Sequence, residues 1–169
     1  MAFQMNGRRQ SAVQFDIDME PPAIVLASEF TRLGLNIQSF KDPLKQSVEE
    51  VAAPSIRENF EQGGRPTWEP PAEATLDHSG YDGHPLLIDT GALEEAASST
   101  DIWQVSKTEA SILPIDSWTD YGGFHEGGTI NMPARPFLMF QPEDEDAIEE
   151  IFHKWLDVRF IAAGFTPGL

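Results

Sequence analysis

The chain has 169 residues, no cysteine, and 28 acidic against 11 basic side chains, a net charge of -17. The missing thiols exclude disulfides, thiolate metal sites and a cysteine nucleophile, and a surface of this sign repels phosphate and argues against sequence-specific DNA or RNA binding. With 40% hydrophobic and 23% charged residues, the composition is that of one globular domain, and no segment approaches the roughly 18 apolar residues that would span a bilayer.

Met1 to Gln14 contains Arg8 and Arg9 with no apolar run behind them, so no signal peptide is expected; residues 1–11 read as a flexible arm. In 12–19, Val13, Phe15, Ile17 and Met19 alternate with polar residues, the period of a half-buried strand. Pro21-Pro22 ends it. Ile24, Ala27, Phe30 and Leu33 then suggest a short helix that Gly34 stops. A second helix is expected with Asp42 as N-cap and Pro43 in its first turn. Its apolar stripe runs through Leu44, Val48, Val51, Ala52, Ile56 and Phe60, and Pro54 should kink or break it.

Residues 63–86, rich in Gly and Pro, predict an extended loop, a length usually tied to function or to ordering by a partner. Leu86-Leu87-Ile88 is a short apolar run. Asp89-Thr90-Gly91 is a turn in which Asp or Thr caps a helix over Ala92 to Ala97. Ile102 to Val105 and Ser111 to Ile115 predict a β-hairpin turning at Lys107-Thr108-Glu109. Residues 116–134 are Gly-rich, Phe137 to Phe140 is a strand candidate, and an acidic first turn from Glu143 to Asp146 opens a final amphipathic helix. The fold class is α+β: a small mixed sheet with a hairpin, packed against N-terminal helices and a C-terminal amphipathic helix, with long loops.

Three segments invite a chemical reading. Leu87-Ile88-Asp89-Thr90-Gly91-Ala92 resembles the string around the catalytic aspartate of aspartic proteases. That chemistry needs an all-β surround, whereas a helix is expected here directly after the string. Asp77, His78, Asp82 and His84 offer metal-type ligands in a turn-rich loop, but not the spacing of a zinc or calcium site. His125 beside Glu126 has the elements of a general base, with no nucleophile tied to it in sequence. The glycine pairs at 122–123 and 127–128 lack a phosphate-loop pattern. No cofactor, metal or catalytic residue is therefore expected, and the enzyme alternative is confined to a protease or a metal hydrolase. Trp68 and Trp118, both in loops, are candidates for anchoring an interface.

One ordered set of pieces remains. A helix ends at Ile56 to Phe60. Gly63, Pro66 and Trp68 follow, then Leu87-Ile88-Asp89-Thr90-Gly91-Ala92-Leu93 and a hairpin. Tyr121 precedes His125-Glu126-Gly127-Gly128, and Met132-Pro133-Ala134-Arg135-Pro136-Phe137-Leu138 precedes the acidic-capped last helix. Over residues 45–160 this order resembles the virion morphogenesis or tail-completion family of tailed bacteriophages, which includes neck proteins. The loop after Trp68 is shorter and less basic than in that family, and the chain is more acidic. The resemblance implies a non-enzymatic subunit at the head–tail junction, assembled in the host cytoplasm as a homo-oligomeric ring, six-fold to match the tail. Expected neighbours are other neck, connector, tail-terminator or tail-tube proteins, with DNA passing through unread and no membrane involved. A tail terminator or a head-closure ring is the alternative. Trp68, Asp89, Thr90, Gly91, Tyr121, His125, Arg135 and Phe137 are the motif and interface candidates, with Arg135 expected to pair with a carboxylate of its own chain or of a neighbour.

Overall fold

The computed structural model describes residues 23–70 and 85–165. The arm 1–11, the alternating segment 12–19, and residues 71–84 with their four metal-type side chains lie outside the described residues. Helix α1 (Ala23–Asn36) runs through Gly34 and ends two residues later than the glycine suggested. It packs on the last helix, α6 (Pro142–Ala163).

Helix α2 (Lys41–Ser47), a π-helical turn (Val48–Ala52) and α3 (Ala53–Glu61) follow one another without a break. Phe40, not Asp42, stands at the N-cap of α2, and the Asp42 carboxylate instead lies 3.6 Å from Arg159 of α6. Of the kink or break expected at Pro54, the chain shows no break but a change of helix type, a π turn directly before the proline. The Ala53 N–H bonds to the Val48 carbonyl five residues back. This wider turn just before Pro54 relieves the clash between a proline ring and the carbonyl four residues earlier. α3 ends where the glycines predicted, with Gly63 at φ 69° and Gly64 at φ 98°. No space remains for a Cβ at Gly64, which lies 2.6 Å from the carbonyl oxygen of Pro66 on that measure.

Helix α4 (Ala92–Ala97) packs on α3. The hairpin forms as expected: β1 (Trp103–Val105) and β2 (Ala110–Ile112) are antiparallel, with Trp103 opposite Ile112. It is the whole sheet among the described residues, so the α+β class holds with helix dominant. The Gly-rich stretch that follows contains a 3-10 turn (Ile115–Ser117) and helix α5 (Gly122–Gly127).

Phe137 to Phe140 is not a strand. Its backbone groups are satisfied by side chains instead, as described below. α6 matches its sequence signature closely. Gln141 and Asp144 form a reciprocal capping box, acidic residues fill the first turn, and Gly164 closes the helix in the left-handed region at φ 107°. Ile151 and Trp155 are its buried stripe. The main core is Ile56, Phe60, Trp68, Leu93, Ala97 and Phe137, with Leu86, Leu87, Ile88, Trp103 and Trp118 packed around it. Phe60 and Phe137 are fully buried with ring centroids 5.1 Å apart, and burial of each such ring contributes about 2–3 kcal/mol.

Candidate functional site

Most of the motif residues hold one another, and they fix the segment 118–140. Trp68 is buried, edge-on to Phe60 at 5.8 Å, and its indole Nε1 donates to the Pro136 carbonyl at 3.0 Å. Trp118 stands edge-on to Phe137 at 6.5 Å and its indole donates to the Leu113 carbonyl. Both tryptophans thus have the amphipathic role open to them within the chain: a ring in the core and a polar edge on a backbone oxygen.

The segment Arg135 to Met139 is strapped down from two sides. The Glu126 carboxylate accepts from the backbone N–H of Phe137 at 2.8 Å and of Leu138 at 3.2 Å. On the carbonyl side, the amide nitrogen of Asn59 donates to Phe137 and Met139, both at 2.9 Å. The two side chains do the work of a neighbouring strand, which is why an apolar run that looks like a strand stays irregular. Asn59 is fully buried, and its Oδ1 accepts from Arg65 Nε at 2.8 Å.

Arg65 extends this into a network. Its guanidinium donates to Glu58 Oε2 at 2.8 Å and to the carbonyl and hydroxyl oxygens of Ser55. The Ser55 hydroxyl donates to Asp144 Oδ2, and the Arg65 carbonyl accepts from Gln141. The cap of α6 is thereby tied to α3. Sequence reasoning missed Asn59, Arg65 and Ser55. The available signal was a run of polar residues at helical spacing beside Ile56 and Phe60, which binary patterning assigns to solvent.

Arg135 is buried and donates to the carbonyls of Glu69 at 3.2 Å and Pro70 at 3.4 Å. Among the described residues its side-chain partners are these backbone oxygens of its own chain, and no carboxylate pairs with it there. Its own N–H bonds to the His125 carbonyl at 2.7 Å. His125 is half-buried, stands edge-on to Tyr121 at 6.0 Å, and keeps Nδ1 buried with no hydrogen-bond partner among the described residues. Desolvation, with the Arg135 charge as a lesser cause, holds its pKa below the ordinary histidine value. An imidazole so placed is neutral near pH 7.

Asp89, Thr90 and Gly91 are set apart from this group. Asp89 and Thr90 are exposed. Gly91 is the N-cap of α4 at φ 77°, and no side chain caps from that position. Thr90 Oγ1 accepts weakly from Ala92 at 3.4 Å. The turn contributes to the core through its flanks, since Leu93 is part of the main core and Leu87 and Ile88 pack against it. Of the candidates, then, Trp68, Tyr121, His125, Arg135 and Phe137 are brought together, and Asp89, Thr90 and Gly91 are not.

The chain is 32% identical over 114 residues to the Mu-like prophage FluMu G protein 2 of Haemophilus influenzae, an alignment that covers 64% of this chain and 74% of that protein. The chain belongs to the family of this prophage protein. It is therefore a phage-related protein. No family model matches it, and no solved structure matches it. In this member of the prophage G protein 2 family, the backbone of Phe137 to Met139 is tied to α3 and α5 by side-chain hydrogen bonds. No described helix is long and apolar enough to cross a membrane.

Proposed function

We propose that the protein is a structural, non-enzymatic component of the virion at the head–tail junction, acting in the neck or in tail completion. In this reading it assembles as a homo-oligomeric ring, six-fold to match the tail, around the channel through which DNA passes. The observation that carries the reading is the kinship to a Mu-like prophage protein, joined to the ordered motif set quoted above. The geometry supports it: three polar side chains of the motif set, Trp68, Glu126 and Arg135, are spent on backbone carbonyls and amides. Such an arrangement preserves a shape, and shape is what a ring subunit must supply. The net charge of -17 suits a lumen that lets DNA slide without holding it, because like charges repel. Neighbouring neck, connector, terminator and tube proteins are its partners.

Inactivation of the gene in an inducible prophage tests the reading. Induced lysates should contain DNA-filled heads and tails of normal length that fail to join, and the purified protein should restore joining. Overlong tails would favour a tail terminator, and heads that leak DNA a head-closure ring. Normal infectious particles would refute all three.

A further inference from the structure

Resting on the ring reading, a pair of unlike surfaces on the same chain identifies the subunit contact. The first surface is the tip of the strapped segment. Tyr121, Phe124 and Ile130 are exposed there, and Ile130 is 98% exposed in the turn closed by the Thr129–Met132 bridge. Apolar side chains presented this way on a rigid support are characteristic anchors of protein contacts. The support is braced: Glu126 ties α5 to the Phe137–Leu138 backbone, and Arg135 ties the segment to the carbonyls of Glu69 and Pro70. From Thr108 to Ala134 the chain has no Lys or Arg, and Glu109, Asp116, Asp120 and Glu126 are acidic. Asp116 and Asp120 are exposed and form no ion pair among the described residues.

The second surface is on α1. Val25, Ser28, Arg32 and Leu35 recur at helical spacing along one side, away from Leu33, which is buried. Leu35 is 63% exposed, and the Ser28 hydroxyl is consumed by the Val25 carbonyl. Arg32 is exposed and makes no ion pair among the described residues. In so acidic a chain, a free arginine between exposed apolar side chains is the complement of an apolar tip flanked by free carboxylates.

We propose that the ring contact is head-to-tail: the Tyr121–Phe124–Ile130 tip of one copy seats on the Val25–Arg32–Leu35 stripe of the next, with Asp116 and Asp120 facing Arg32. A contact between two different patches repeats around an axis and closes as a ring when its rotation divides a full turn. The occupant of the stripe is thus a second copy of this chain.

Sedimentation of the full-length protein, alone and with purified phage tails, provides the test. A tip variant carrying Phe124→Ser and Ile130→Asp and a stripe variant carrying Arg32→Glu and Leu35→Asp should each need about thirty-fold more protein to assemble, the loss expected of an anchor residue. Mixed together, they should form one-to-one dimers and nothing larger, because each supplies the patch that the other lacks. The pair Asp120→Arg with Arg32→Glu in one chain should recover assembly that either change alone weakens. Assembly of both variants like the wild type would overturn this contact and leave the ring standing. Loss on the stripe alone would assign the stripe to another occupant and likewise overturn it, as would variants that stay monomeric when mixed. A wild-type chain that remains monomeric with tails present would refute the ring reading itself.

Discussion

The Glu126 carboxylate accepts the backbone N–H of Phe137 at 2.8 Å, and the same oxygen takes the N–H of Leu138. This makes an acidic side chain on α5 the substitute for a strand beside an irregular segment. Replacing Glu126 with Ala leaves both amides without their acceptor next to the core. We expect a loss of about 2–3 kcal/mol, since an unsatisfied buried donor costs about 1–3 kcal/mol. Gln keeps one acceptor oxygen and should recover most of that loss. Urea denaturation of the three proteins checks the order.

Asn59 is the matching strap on the carbonyl side, and it is fully buried. Asn59→Asp removes both donated bonds and turns an acceptor toward two carbonyls. Asn59→Ala removes the same bonds and leaves a void beside Arg65. Each should destabilise by roughly 3 kcal/mol, within the range for breaking a buried polar network. A shift of the urea midpoint with an unchanged slope is the expected result. A shift too small to measure would show that water replaces the strap.

The pH dependence of stability follows from His125, whose pKa in the folded chain is lowered by burial and then by Arg135. The groups that face it are Arg135 and Tyr121. The unfolded chain therefore binds this proton more readily than the folded one. Stability is fully present above the ordinary histidine pKa of about 6.5 and declines as pH falls below it. His125→Gln should flatten the profile between about pH 5 and 7, the window set by the unfolded histidine. Thermal melts across that range decide it. An identical slope in the variant would place the acid sensitivity elsewhere.

Two glycines with similar φ but opposite ψ, -5° at Gly91 and 177° at Gly128, should respond differently to alanine. Gly91 has φ 77° with nothing near the missing Cβ, so Gly91→Ala carries the conformational penalty alone, about 1 kcal/mol. Gly128 has φ 69°, and a Cβ there would lie 2.7 Å from the Ala134 backbone nitrogen. Gly128→Ala must move the tip, so it should lose more stability than Gly91→Ala and should also impair assembly. Chemical denaturation and sedimentation separate the two effects.

Asp89 is exposed, and its side chain makes no hydrogen bond among the described residues. Asp89→Asn should change stability by less than about 0.5 kcal/mol, as surface substitutions usually do, and should leave particle production intact. Loss of infectious particles from a stably folded variant would give Asp89 a chemical role and count against the structural reading.

Much of this protein was legible as a one-dimensional pattern. The acidic first turn and terminal glycine of α6, the turn and short helix after Gly91, and the hairpin around Lys107-Thr108-Glu109 all follow from residues close in sequence. Local signals suffice there because caps, turns and helix dipoles act over a few residues. Local pattern also misled. Asp42 has the chemistry of an N-cap, yet its carboxylate is directed toward Arg159 on a helix far along the chain. Phe137 to Phe140 has the composition of a strand, but no strand pairs with it among the described residues.

By itself, the sequence determined the class of the fold, the α6 helix and its cap, and the motif set that points to tailed phages. The tertiary structure decided what the motif residues do. Asn59 meets Phe137 across 78 positions, and Trp68 meets Pro136 across 68. A buried polar group must find a partner, and nothing in its near neighbours says which distant carbonyl or amide that will be. That choice is made only when the core closes around Phe60 and Phe137.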